Sequence, residues 1–302
     1  MLHDRIVERE IACILFVYKR PGNKIYIEGE TAMSSEESLY DNFIEIAEGI
    51  YWVGFADEHA GFHCNPYLIV DNGEAVLIDS GGRNDFSTVM LKIMRTGTNP
   101  KSIKRLIYQH YDPDLCGNIP HMEAMIDSKD LKLISHRENN IFINYYSVKS
   151  PMQCIEELGL FYEFSSGRRL EFIHTPYCHA QGSFMTYDTK SKILFSSDIF
   201  GAYDSDWTFY THIDERCRDC KTAENCKNSD AKCQIRGLLD FHKQTMPSIK
   251  ALKHTLARIE KLELSMIAPQ HGSVLNTEIS REVAINRLKS LDAVGFDCFY
   301  KE

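Results

Sequence analysis

Three side chains able to bind metals or move protons stand on alternate residues of one short stretch. They are His110, Asp112 and Asp114 in YQHYDPDLCG, residues 108–117. Neutral imidazoles and carboxylates are metal donors, and the same groups serve as general acids and bases. Pro113 forbids a regular helix through the stretch, and Gly117 frees the turn. On a tight loop, three such groups converge on one point or on two neighbouring points. The competing reading is a solvated aspartate-rich turn that happens to hold a histidine. The stretch alone does not separate the two.

The elements that must carry it do separate them. A run ending RLIY reads as a short buried strand that delivers His110. Residues 44–55 and 66–82 read as further strands, with Asp71-Asn72-Gly73 as a hairpin turn. Residues 85–97 carry a helical stripe (Phe86, Val89, Met90, Ile93, Met94) stopped by Gly97. Residues 119–162 read as mostly helical, with a strand at 131–135. Residues 168–187 read as strand, loop and strand, with His174, Cys178 and His179 in the loop. An apolar run at 192–201 contains Asp198, and residues 202–246 read as polar and irregular. A helix over 247–262, a strand in 263–272 and a helix from about 278 to 291 complete the chain. Strand after strand thus ends near a donor: Asp79, His110, His179, Asp198 and His271. Layered α/β folds gather function at strand ends, so these residues predict one metal-binding cleft.

Composition narrows the alternatives. With 302 residues and 43% hydrophobic content, the chain can bury a full core. A formal charge of −9 argues against nucleic acid as a partner. No apolar run reaches the ~20 residues of a membrane span. The patch at 11–18 lacks the features of a signal peptide, so the expected location is cytoplasmic. Residues 10–30 read as a hairpin turning at Pro21-Gly22-Asn23, which makes 1–43 an N-terminal extension to a main domain over 44–302.

These residues resemble the metallo-β-lactamase fold and, more narrowly, the diiron domain of flavodiiron proteins. His110-x-Asp112-x-Asp114 follows the first part of that family's H-x-E-x-D-H pattern. His179 and Asp198 have the family's eighteen residues between them, and His271 sits in PQHG like the family's terminal His-Gly. The resemblance implies an αββα sandwich over about residues 45–292. It implies one metal held by His110, Asp112, His179 and a bridging Asp198, and a second held by Asp114, Asp198 and His271. It also implies a supporting role for Asp79, which orients a ligand loop, and places Tyr111 beside the ligands. Carboxylate at Asp112, where zinc hydrolases of this fold carry histidine, favours iron over zinc.

Two departures matter. Asp112 is one methylene shorter than the family's glutamate. Leu115 stands where the family has a histidine of the second site, and His174, His63 or a water is left to replace it; Cys116 is a further neighbour able to approach. Flavodiiron reductases carry a flavodoxin domain after the diiron domain, whereas 31 residues follow His271 here. The expectation is therefore a flavin-free diiron protein resembling the stand-alone oxygen-binding members. It would bind O2, or NO, as an oxygen or redox sensor signalling to a partner protein. The alternatives are an O2 or NO reductase fed by a separate electron donor, and a metal-dependent hydrolase. Oligomeric state is left open: the family pairs head to tail to bring flavin near iron, and without flavin a homodimer is only compatible with the resemblance.

Cys217, Cys220, Cys226 and Cys233 lie close together in an insertion at 214–234. Four thiolates at this spacing can wrap one Zn²⁺ or one iron–sulfur cluster, and the spacing does not choose between them. Reduced surface thiols and disulfides are the plainer readings. The other six cysteines read as small core residues.

Overall fold

The computed structural model describes residues 40–56, 63–203, 207–220 and 233–300. The hairpin expected at 10–30 and Cys226 of the cysteine-rich insertion fall outside these residues.

Tight turns start the first sheet. β1 (Ile44–Ala47) and β2 (Ile50–Trp52) turn at Gly49, whose φ is 69°. β3 (Tyr67–Asp71) and β4 (Glu74–Ile78) turn at Asn72 and Gly73, both at positive φ, as a two-residue hairpin requires. After α1 (Phe86–Arg95) the chain crosses back as β5 (Ile103–Ile107), parallel to β4. α2 (Pro113–Cys116), α3 (Ile119–Ile126), β6 (Lys132–Ser135), α4 (Arg137–Ile143) and β7 (Met152–Cys154) follow. The seven strands pair in sequence order.

The second sheet runs β12-β11-β10-β9-β8. It contains β8 (Phe161–Glu163), β9 (Arg169–His174), β10 (Phe184–Asp188) and β11 (Ile193–Phe195). α5 (Gln234–Thr245) and α6 (Ile249–Ile259) precede β12 (Met266–Ala268), which lies parallel to β11. α7 (Glu278–Lys289) covers the same side.

Alternation along the strands explains the layers. Ile69, Val76 and Ile78 pack inward with Phe172, Phe184 and Phe195 of the other sheet. Their neighbours Leu68 and Leu77 pack outward with Val89, Ile93, Met122 and Ile126 of the helices. Across the molecule, Met185, Leu194 and Ile267 pack with Leu238, Leu252, Leu256 and Val283. Three apolar layers between four layers of secondary structure, helices outside and sheets inside, make the αββα sandwich. Each large side chain buried in them contributes about 1.5–3 kcal/mol.

Two stretches differ from expectation. Residues 144–163, expected to continue a helix, form a 3₁₀ turn and then the short strands β7 and β8. Three-residue strands leave too little alternation to detect. Residues 202–246, expected to be irregular, end in α5, whose Leu238 and Phe241 are core residues. Among the described residues, no helix is long and apolar enough to cross a membrane.

α5 also carries a titratable support. Buried His242 lies 2.8 Å through Nδ1 from the Leu238 carbonyl, and its Nε2 accepts from the Phe200 N–H at 3.1 Å. This arrangement needs the neutral ring, and burial pushes its pKa down to about 4. An unfolded histidine titrates near 6.5. Between about 6.5 and 4 the unfolded chain binds a proton that the folded chain refuses, so stability falls as pH drops. The expected loss is about 2–3 kcal/mol by pH ~4.5. Urea unfolding of metal-free protein at pH ~7 and ~4.5 checks this against His242→Gln. Equal pH dependence in both proteins would remove His242 as a cause.

Candidate two-metal centre

The site is built from loops that leave the strand ends of both sheets. His110 stands just past β5. Asp112 caps α2, and Pro113 occupies its first turn. No helix runs through Pro113: α2 begins at it, after the extended Asp112, and at that first position its missing N–H has no partner to lose. The single turn sends the two carboxylates to different neighbours. Asp112 Oδ2 lies 3.2 Å from His179 Nε2 and 3.8 Å from His110 Nε2. Asp114 Oδ2 lies 3.2 Å from His271 Nε2.

Asp198 stands between these groups. Its Oδ2 is 3.0 Å from His179 Nε2 and 3.7 Å from His110 Nε2, and its Oδ1 is 3.7 Å from His271 Nε2. All six residues singled out from the sequence are thus brought together, in two subsets that share one carboxylate. Two fully buried atoms in the cluster, His110 Nε2 and Asp198 Oδ1, find no hydrogen-bond partner among the described residues. A buried polar atom without a partner carries a desolvation cost of about 1–3 kcal/mol, which a bound cation relieves.

The outer ring nitrogens are occupied. His110 Nδ1 lies 3.1 Å from the Ser197 hydroxyl, and His271 Nδ1 lies 2.8 Å from the His63 carbonyl. A carbonyl can only accept, so His271 donates from Nδ1 and turns Nε2 toward the acids. Metal-binding histidines are commonly held in this way.

Electrostatics follow from crowding. Burial acts to raise Asp198, but His110 beside it, the hydrogen bond from His179, and His271 hold it well below the usual carboxylate range. Burial acts to raise Asp112 too, and His179 and His110 lower it. Burial acts to lower His179, yet Asp112 and Asp198 carry it up to about 10. Without a metal, protons on His179 and His271, both raised by the neighbouring acids, balance the carboxylates. Cation binding to such a set expels protons.

Asp79 is buried at the end of β4 with φ 54°. It accepts from the Gln109 N–H at 3.1 Å and from the Gln109 side-chain amide at 3.3 Å. The Gln270 amide reaches Oδ2, the oxygen that also accepts from the Gln109 side chain, at 3.3 Å when its nitrogen faces the carboxylate. These two glutamines immediately precede His110 and His271. Burial pushes Asp79 up to about 8, against the hydrogen bonds from Gln109 and helped by Asp198 and Asp114.

Other residues singled out from the sequence go elsewhere. The Tyr111 ring stacks on Phe142 at 4.4 Å, and its carbonyl accepts from Tyr146. Leu115 is buried in the core between the first sheet and its helices. Cys116 shares that core, its thiol 3.6 Å from the His110 carbonyl. His174 stacks on His136 at 4.3 Å, and the His63 ring stacks on Trp207 at 4.6 Å. Tyr203 packs edge-on against Phe241. Cys217 and Cys233 are partly buried against the core beneath α5 and α7.

One residue was missed. Cys64 joins Asp114 and His271 in a set whose donor atoms lie within 4.8 Å of one another. A second such set is His110, Asp112 and His179. The local signal was slight, a lone cysteine in HCNP just before a strand.

An uncharacterized protein of Methanocaldococcus jannaschii is 29% identical over 85% of this chain and 64% of its own length. The anaerobic nitric oxide reductase flavorubredoxin of Aeromonas salmonicida is 26% identical over 76% of this chain and 44% of its own length. The chain therefore spans less than two thirds of these curated relatives. Among solved structures, the chemotaxis sensor ODP in its peroxy diiron species superposes with a TM-score of 0.67 at 26% identity, over 85% of this chain and 97% of that one. Residues 62–272 match the family described as ODP family beta lactamase, and this chain belongs to that family.

Proposed function

We propose that this chain is a non-haem diiron protein that binds O2, with NO as the alternative ligand, and serves as an oxygen or redox sensor for a partner protein. The observation that carries the reading is Asp198, buried between two donor sets and facing each with a different oxygen. In this reading His110, Asp112, His179 and Asp198 hold one iron, and Asp114, Asp198 and His271 hold the other, within a domain over 44–302. Three carboxylates supply hard, anionic donors that favour iron over zinc. Two ferrous ions, when bound, supply electrons and open positions for a diatomic ligand.

The residues themselves divide the work. Ser197 and the His63 carbonyl fix the rings of His110 and His271. Asp79 ties together the loops that carry those rings. His110, Asp198 and His271 are deeply buried, whereas Asp112, Asp114 and His179 are a quarter to a third exposed. Small ligands therefore approach from the side of those three.

The matched chemotaxis sensor is a diiron protein, which supports the sensing role over turnover. The cysteines at 217, 220, 226 and 233 stay outside this assignment, as a separate zinc or iron–sulfur site. The test is anaerobic loading with Fe²⁺ followed by mixing with O2. The expected result is uptake of one O2 per chain with a new visible band that fades on purging. No uptake and no band would reject O2 binding. Rapid repeated uptake with an added reductant would move the assignment to reductase.

A further inference from the structure

Resting on the two-metal reading above, the geometry points to Cys64 as the thiolate ligand of the second metal, beside Asp114, Asp198 and His271. The family's histidine for that metal is replaced here by Leu115, which is buried in the helical core. The substitutes considered from the sequence are turned elsewhere: His63 onto Trp207 and His174 onto His136. Cys64 is buried, and its Sγ lies 4.0 Å from Asp114 Oδ2. Donor atoms about 2.0–2.3 Å from a shared metal lie roughly 3–4 Å apart. The separations of 4.0 Å (Cys64–Asp114), 3.2 Å (Asp114–His271) and 3.7 Å (His271–Asp198) fit that spacing. Asp198 Oδ1, buried beside His271, finds no hydrogen-bond partner among the described residues, which suits an oxygen that faces a cation.

The placement of Cys64 is built into the backbone on both sides. The His63 carbonyl receives the His271 ring. Asn65 donates its side-chain amide to the Pro269 and Gly272 carbonyls at 3.0 and 2.9 Å. Its backbone N–H donates to the Gln270 carbonyl at 2.9 Å, and its side-chain oxygen accepts from Trp52 at 2.9 Å. The Cys64 carbonyl accepts from Phe55 N–H at 3.1 Å. Residues 63 and 65 thus clamp the loop carrying His271, and Cys64 is carried between them. Binding is a ligand exchange: the S–H bond breaks, its proton passes to solvent, and the sulfur lone pair forms the bond to the metal without electron transfer.

Co²⁺ titration tests this in a full-length chain whose cysteines 217, 220, 226 and 233 are replaced by serine. The expected result is two Co²⁺ per chain with a near-ultraviolet sulfur-to-cobalt charge-transfer band. Cys64→Ser then loses the band and weakens the second Co²⁺ by more than about 10-fold, while the first binds as before. Cys64→His restores the second Co²⁺ without the band. Two tightly bound Co²⁺ with no band, or a band that survives Cys64→Ser, overturns the thiolate ligand and leaves the two-metal reading standing. No Co²⁺ bound at all rejects both. Should the four-serine chain not fold, X-ray absorption of zinc-loaded chains with those cysteines intact supplies the readout. Loss of one sulfur neighbour at about 2.3 Å on Cys64→Ser supports the ligand, and an unchanged sulfur count overturns it.

Discussion

Asp198→Asn eliminates two-metal binding while leaving the sandwich folded. The substitution keeps the shape but removes the charge and one acceptor oxygen. Asp198 Oδ2 stands 3.0 Å from His179 and 3.7 Å from His110, and Oδ1 stands 3.7 Å from His271, so both donor sets are damaged at once. An amide nitrogen turned toward either set presents N–H groups where a lone pair is needed. Residues that merely support a metal ligand change affinity by about 10–100-fold. A ligand shared by two metals is expected to exceed that range for the pair. Metal analysis after dialysis against a weak chelator, with circular dichroism as the fold control, gives the answer. Two metals retained would show that Asp198 does not bridge.

Asp79→Ala has the largest expected effect on stability. Asp79 is buried and accepts from the Gln109 backbone through Oδ1 and from the Gln109 and Gln270 amides through Oδ2. Alanine leaves these donors facing a void, at about 1–3 kcal/mol for each unsatisfied group. It also keeps the positive φ that Asp79 adopts, which suits an aspartate or asparagine better than alanine. A loss of about 3–5 kcal/mol in urea unfolding of metal-free protein is expected from these effects together at pH ~4; toward pH ~7 the loss shrinks, because a buried acid raised to about 8 already costs stability there that alanine returns. A change within about 0.5 kcal/mol, the range of an indifferent surface substitution, would show that the carboxylate is dispensable. Asp79→Asn keeps the shape and the backbone preference, so it separates polarity from packing.

The six acidic and imidazole donors were legible because each follows an apolar run and short-range spacing carries the pattern. His110, Asp112 and Asp114 alternate within one turn, and His179 and Asp198 flank a single strand pair. The sandwich was legible through the family resemblance that these residues carry, and in the structure Leu68/Ile69 and Val76/Leu77 divide between two apolar layers. β7 and β8 were not, because each is three residues long and shows no usable period. Nor was α5, whose apolar stripe begins inside a polar, cysteine-rich context. Cys64 was hidden for a different reason. It meets His271 through contacts made across the fold by Asn65, and nothing near residue 64 announces them. Tyr111 follows His110 in sequence, and its ring packs against Phe142.

The origin of the donors has a mechanical consequence. His110, Asp112 and Asp114 hang from the first sheet, while His179, Asp198 and His271 hang from the second. Any cation held by members of both groups fastens the two halves of the sandwich along one seam. A ligand present at about 100 times its dissociation constant adds about 2.7 kcal/mol to the state that binds it, and here that strength falls across the seam. Whatever loosens or tightens the fastening at one end changes how freely one sheet shifts against the other. A chemical event between a few side chains can thereby become a displacement that a neighbouring protein feels.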